Sequence, residues 1–349
     1  MHGIKPHIRG AKRLGGAVVA AAAAVSLLAA CSGSSTSAAP AAAKTNADGT
    51  PNLTGQSIRI AVGAAPEQQD SRIALMATIL DGWGAKTKII NQTGDPAGVR
   101  VVLAGDADLG SFAVSGAINS GLKIFGPSQP RLDYHFIGAP SLKSINDLPG
   151  KIYGTSNIHG VEALMFADLL KKNNIQPSQV KVTVAGGASV RVGAMLTHHI
   201  DATFVHVGDV PKLTSAGFND LAKMSDAAPE LADSYLSASP KWYSSHPDLA
   251  VAVDEAWIKA AQIFNTDEAQ WVKASVAYGG GTEKEAQDLY TQLKSANTFP
   301  AEKDVFSTAS AQQQEDLAKE VGAITTAPPL SQWFDITSWD KATAALNLS

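Results

Sequence analysis

Between Lys151 and Ala216 the chain alternates short β-type runs with helical runs, and this alternation constrains its fold more than any other feature. Lys151–Ser156 carries β-branched Ile152 and aromatic Tyr153, a strand composition. Gly154, Asn157 and Gly160 punctuate a turn. Val161, Leu164, Met165 and Leu169 then recur on one helical face, and Lys171, Lys172, Asn173 and Asn174 close that helix. Val180–Ala185 reads as a second apolar strand, Gly186-Gly187-Ala188-Ser189 opens a helix through Ile200, Asp201–Val205 is a third strand, and Gly208–Ala216 begins another helix. Strands separated by helices form a parallel layer, whose ligands bind beyond the carboxyl ends of the strands.

The first strand-to-helix corner draws a functional reading. Thr155, Ser156, Asn157 and the amides of His159–Val161 stand where a helix begins, with unpaired N–H groups and the positive end of the dipole. Such a corner suits a small anion or polar ligand. The plainer alternative is that Ser156 or Asn157 only caps the helix.

The residues INDLPGKIYGTSNIHG, followed by LLKKNNIQPSQVKVTVAGGASVRVGAMLTHHIDATFVH, resemble the second lobe of the substrate-binding proteins of ABC importers. The likeness is to the nitrate/sulfonate/taurine and thiamine-precursor (NMT1/THI5-like) group. Ile175 and Val180, Gly186-Gly187, and Ile200-Asp201-Ala202 hold that family's places, and upstream Leu103, Gly105, Asp108 and Gly110 match its helix-to-strand passage. His198-His199 depart from it, standing where the family often has a short Ser-Gly pair. The resemblance implies an α/β fold of type II periplasmic-binding-protein kind, with two lobes, each a mixed sheet flanked by helices, joined by a hinge. It implies a first lobe of residues 56–139 plus 229–349 and a second of residues 140–228.

The N-terminus gives a separate signal. Lys5, Arg9, Lys12 and Arg13 precede an uncharged run, Leu14–Ala30, and then Leu28-Ala29-Ala30-Cys31. This is the order of a secretory signal, and its end looks like a bacterial lipobox in which Cys31 is acylated. Residues 1–31 are therefore read as a lipoprotein signal peptide and residues 32–55, rich in Ser, Ala, Thr and Pro, as a disordered tether. Cys31 is the only cysteine, so no disulfide forms within the monomer. With the leader removed, 24 Lys and Arg face 32 Asp and Glu, a formal charge of −8. No basic, aromatic-interleaved patch suggests nucleic acid.

The rest of the first lobe reads as strands at Ile58–Val62, Thr87–Ile90, Ala107–Phe112 and Asp133–Ile137, with helices from Asp70 to Gly82 and over Pro96–Ala104. The crossover to the second lobe is placed at Gly138–Ser141. Pro247–Phe264 is a long helix, followed by amphipathic helices at Ala269–Ala277, Glu283–Lys294 and Gln313–Ala323.

Ligand-binding candidates come from the strand ends: Ala65, Glu67, Gln68, Ser111 and Ser115 in the first lobe, and Thr155, Ser156, Asn157, Gly187, Ser189, His206 and Asp209 in the second. Arg191, near a helix start, is read either as an oxyanion partner or as a surface residue. Adjacent His198 and His199 cannot share one face of a helix, which argues against zinc. Asp106 and Asp108 read as solvated or capping acids. No metal or cofactor is expected.

The implied function is capture of a small solute for an ABC permease and ATPase by a monomer lipid-anchored to the outer face of the cell membrane. The helix-start corner favours a sulfonate, nitrate or carboxylate; Glu67 and Asp209 favour an amine or a neutral heterocycle. An oxyanionic solute of sulfonate or taurine type is placed first. A lipid-anchored sensor is the alternative. A thiamine-precursor-type enzyme is disfavoured, because that branch carries a cysteine-rich motif which a single cysteine cannot supply. Nor does the chain hold a G-x-S-x-G elbow, an H-E-x-x-H helix or a P-loop.

Overall fold

The computed structural model describes residues 44–348. Two short strands, β1 (Lys44–Thr45) and β2 (Pro51–Asn52), pair antiparallel at the start of these residues. Ten further strands follow: β3 (Ser57–Val62), β4 (Lys86–Asn91), β5 (Leu109–Phe112), β6 (Lys123–Gln129), β7 (Tyr134–Gly138), β8 (Ile152–Thr155), β9 (Lys181–Val184), β10 (Ala202–His206), β11 (Asn219–Lys223) and β12 (Ser234–Ala238).

These ten strands form two five-stranded sheets, ordered β4-β3-β5-β12-β6 and β11-β7-β10-β8-β9. In each sheet three strands run parallel, β4-β3-β5 and β9-β8-β10. The fourth lies antiparallel beside them: β12 against β5, and β7 against β10. Those antiparallel strands are the ones by which the chain enters the second lobe and returns to the first. The two lobes are thus the same winding, each completed by the strand at its point of entry.

Lobe membership corrects one expectation. The strand over residues 133–137 was expected in the first lobe, with the crossover after it. Instead β7 pairs with β10 in the second sheet, Phe136 opposite Phe204, and the crossing lies between Gln129 and Tyr134. The strand that belongs in its place is β6, which the sequence hides. Gly126 and Pro127 interrupt its pattern, and Pro is tolerated because β6 is an edge strand whose one strand partner is β12, with two register shifts.

Alternation builds the second lobe. Phe136 and Phe204 face Tyr153 and Phe166, whose rings stack 3.9 Å apart. Ile137 and Val205 point to the other face, where Val192, Met195, Ile200, Leu213 and Phe218 cover them. In the first lobe, Pro247–Thr266 buries Val253, Trp257, Ile258 and Phe264, and the Trp257 indole donates to the Ser128 carbonyl at 3.0 Å. β9, expected as an apolar strand, is an exposed edge, with Val184 61% accessible.

The tether expectation also changes. Residues 44–55 fold onto the first lobe: Leu53 is 1% exposed, its N–H donates to the Trp83 carbonyl at 2.7 Å, and the Asn46 amide holds Thr50 and Pro51. One apolar residue and a polar turn suffice to order the segment. Residues 32–43, and the signal peptide with Cys31, lie outside the described residues.

Truncating Leu53 to Ala should destabilise the protein by about 2–4 kcal/mol, the usual cost of a buried leucine. Urea denaturation measures it. An unchanged midpoint would restore the tether reading.

Candidate functional site

All six parallel strands end at one cavity of about 740 Å³. Val62 at the end of β3 and Gly63 after it, Gln92 and Thr93 after β4, and Ser111 of β5 form one wall. Ser156 and Asn157 after β8, Gly186 and Gly187 after β9, and His206 of β10 form the other. Gln129, Tyr134, Asp233 and Ser234, from the two chain crossings, complete the lining. This is the position at which open α/β layers bind ligands, and the volume lies within the range of small-molecule sites.

The helix-start corner is not free. Glu162, in the first turn of helix Val161–Lys172, turns its carboxylate back into it. Its Oε2 accepts the Thr155 hydroxyl at 2.8 Å, the Ser156 N–H at 2.8 Å and the Ser156 hydroxyl at 3.0 Å. Its Oε1 pairs with Arg191 Nη2. The Thr155 and Ser156 donors, read as part of a receptor for an external anion, are spent on the protein's own carboxylate, and the His159 N–H goes to Asn157 Oδ1 at 2.9 Å. Arg191 is equally committed: its Nε donates to Thr203 Oγ1 at 3.1 Å, and its Nη1 to the Gly186 carbonyl at 2.8 Å. With side chains 2% and 6% exposed, the pair is buried, so neither expected role for Arg191 holds.

His206 and Arg72 are paired as well. His206 Nδ1 lies 2.9 Å from Asp133 Oδ1. Burial works against the charged imidazole, but Asp133 outweighs it and raises His206 to about 9. Burial pushes the Asp133 carboxyl up in turn, and His206 more than reverses this, holding it below its ordinary value. Arg72 Nη1 meets Asp70 at 3.1 Å, and its Nε donates to the Ser128 carbonyl at 3.0 Å.

Two carboxylates on the wall stand without a cation. Asp95 Oδ2 accepts the Ala113 N–H at 3.0 Å, and Oδ1 has no partner among the described residues. A Cβ at Gly63 would sit 2.2 Å from that Oδ1, so only glycine leaves the carboxylate its place. Asp233 Oδ1 accepts the Tyr134 hydroxyl at 3.3 Å. Burial raises Asp95 to about 6, partly offset by the Ala113 bond. Burial, then the neighbouring Asp133 charge, raises Asp233 to about 6.

The NMT1/THI5 like family model matches residues 84–268, just over half of the chain. The chain belongs to the NMT1/THI5 like family. Solved structures of the same fold include the ligand-binding component of an ABC-type import system from Staphylococcus aureus with zinc bound. It has 15% identity and a TM-score of 0.68, covering 82% of this chain and 99% of that one. A putative sulfonate-binding protein from Methylobacillus flagellatus KT has 16% identity and a TM-score of 0.65, covering 84% and 96%. The desulfurization enzyme DSZB has 11% identity and a TM-score of 0.58, covering 82% and 99%. No curated protein matches in sequence. The importer and sulfonate-binding neighbours share the two-lobed α/β architecture, and the NMT1/THI5 like segment spans the motifs from Leu103 to Ala202 on which the resemblance rested.

Of the candidates named from sequence in this NMT1/THI5 like chain, Ala65, Glu67, Ser111, Ser156, Asn157, Gly187 and His206 line the cavity. Gln68 and Asp209 line an adjoining cavity of about 520 Å³. Thr155, 1% exposed, is turned onto Glu162. Ser115 donates to the His159 carbonyl at 2.9 Å and so joins the lobes. Ser189 is exposed and lines neither cavity. Asp108, read as solvated or capping, pairs with Arg59 at 2.7 Å. Among the described residues, no cluster of three or more His, Cys, Asp or Glu could hold a metal. Asp95, Arg72, Glu162, Tyr134 and Asp233 were missed. Asp95 opens a helix just after a strand, so the strand-end rule itself would have found it.

Glu162→Gln should cost about 3–5 kcal/mol in urea denaturation, because it strands a buried guanidinium. Adding Arg191→Met should recover part of that loss. Equal single and double costs would show that the pair is not the organising contact. For His206 the raised value means that its stabilisation is complete below about pH 6.5 and is lost as pH rises through about 9. The stability gap between wild type and His206→Gln should narrow over that interval, and a constant gap would remove the proton from the account.

Proposed function

We propose that this protein is the exported solute-binding component of an ABC importer, tethered by lipid on Cys31 and delivering a small organic solute to a permease and its ATPase. One observation carries the reading: a single cavity takes its walls from the strand ends of both lobes. A solute seated there contacts both lobes, so it has differential affinity for the closed state. Names of neighbouring structures support the reading, since they include a component of an ABC-type import system and a sulfonate-binding protein.

The desulfurization enzyme shows that the same fold also serves catalysis. Binding is favoured here because Glu162, Arg191, His206 and Arg72 are each locked in an internal ion pair. A group held in this way positions a wall rather than shuttling a proton. A sulfonate remains a candidate by likeness to the neighbours, but Glu162 takes the Thr155 and Ser156 donors that favoured it. The lipid anchor rests on Leu28-Ala29-Ala30-Cys31. No helix among the described residues is long and apolar enough to cross a membrane. The reading takes the protein as a monomer.

Thermal melting of the full chain in detergent tests solute binding against anionic, neutral and cationic compounds. A true ligand at a hundred times its dissociation constant should stabilise the fold by about 2.7 kcal/mol. Silence from all three classes would overturn the solute-binding reading. Metabolic lipid labelling should mark wild type and not Cys31→Ser.

A further inference from the structure

We propose that the solute is a small organic cation bearing N–H donors, an amine or protonated nitrogen base, held by Asp95 and Asp233 on the wall of the interlobe cavity. The inference rests on the solute-binding reading and names its substrate class.

The cavity wall holds three basic side chains, and each is neutralised from within: Arg72 by Asp70, Arg191 by Glu162, His206 by Asp133. What is left on the wall is negative: Asp95, Asp233 and, at the rim, Glu67. Glu67 accepts only a neutral amide, from Gln69 Nε2 at 2.8 Å. An entering anion would find no free cation, and at the first corner Glu162 already holds the Thr155 hydroxyl and both Ser156 donors. An entering ammonium or amidinium would find carboxylate oxygens that accept nothing from the chain. Charge-assisted hydrogen bonds of this kind are the strong ones.

Asp95 is fixed rather than mobile, with one oxygen tied to the Ala113 amide and the other seated over Gly63. Asp233 is held by the Tyr134 hydroxyl, and its backbone N–H donates to the Gln129 carbonyl at 2.9 Å. One acid starts a helix of the first lobe and the other lies on the return crossing. A cation bound to both would tie a lobe to a crossing.

The adjoining cavity shares Glu67, Gln69 and His206 with the first, and adds Asp209, Glu285 and Asp288 with no Lys or Arg in its lining. Asp288 is met by Lys284 at 2.8 Å and His206 by Asp133, so Glu67, Asp209 and Glu285 leave this lining net negative, which concentrates cations and speeds their entry.

Proton linkage follows. Asp70, Arg72, Asp133 and His206 face Asp233, and Asp70 and Asp233 face Asp95. Both acids titrate near pH 6, so a cation should bind more tightly as pH rises from about 5 to about 7.

The test is the same melting assay on the full chain, with putrescine, agmatine, choline and an aminopyrimidine set against methanesulfonate, nitrate and benzoate. The expected result is stabilisation by at least one N–H cation, weaker at low pH. Asp95→Asn and Asp233→Asn should each reduce affinity about tenfold or more, while neither lowers the melting temperature of the unliganded protein. Unliganded melting separates a lost ligand from a lost fold, because removing an unpaired, desolvated charge should not destabilise. Stabilisation by anions with cations inert would overturn the cation assignment and leave solute binding intact. A cation that binds equally to both variants would overturn the assignment to these two acids. No response to any compound would overturn the solute-binding reading itself.

Discussion

Glu162 and Arg191 are the contact on which the second lobe turns. A carboxylate and a guanidinium, both buried, are costly to desolvate, and this pair is tolerable because nearly every remaining lone pair and proton has a partner. Through those partners the pair gathers the end of β8, the first turn of helix 161–172, the turn after β9 and strand β10. The cavity wall in this lobe is therefore a fixed polar surface rather than a set of free side chains. The same arrangement sets an internal anion in the first turn of the helix and takes the Thr155 and Ser156 donors out of the chemistry available to a solute.

Much of the architecture was legible because parallel α/β layers write themselves in alternating periods. Strand Lys151–Ser156 and helix Val161–Lys172 needed only Ile152, Tyr153 and the apolar face from Val161 to Leu169. β6 was not legible, because Gly126 and Pro127 carry the marks of a turn and only the neighbouring β12 makes the segment a strand. Losing one strand shifted the reading of the crossing by a whole element. Leu53 illustrates the same limit: a lone leucine among Pro, Asn and Thr has no periodicity, and its burial depends on a turn near Trp83.

The candidate site was legible in position and not in charge. Strand ends found Glu67, Ser111, Ser156, Asn157 and His206, since parallel layers always direct those positions to one edge. Whether a charged residue there meets a ligand or a neighbour depends on contacts far apart in sequence. Arg191 and Glu162 are 29 residues apart, and His206 and Asp133 are 73. No spacing rule anticipates such pairs. Asp233 was invisible for a further reason, because it gains its place only from the return of the chain.

That return matters for how a two-lobed protein responds to what it holds. Both crossings run along the cavity, and Asp233 N–H to Gln129 carbonyl ties one to the other beneath it. Asp133, on the first crossing, is the counter-charge of His206 on the far wall. On the proposed function, a charge placed beside Asp233 acts on the two crossings as well as on the walls. The coupling is strongest for a solute whose charge is opposite to the unpaired groups, since it removes repulsion among Asp70, Asp133 and Asp233 that the empty cavity must bear. A neutral solute closes the lobes only by its contacts with the two walls, and an anion adds to the repulsion. Differential affinity for the closed state, which is what any binding protein must generate, is on this arrangement set by charge at the floor before it is set by shape at the walls.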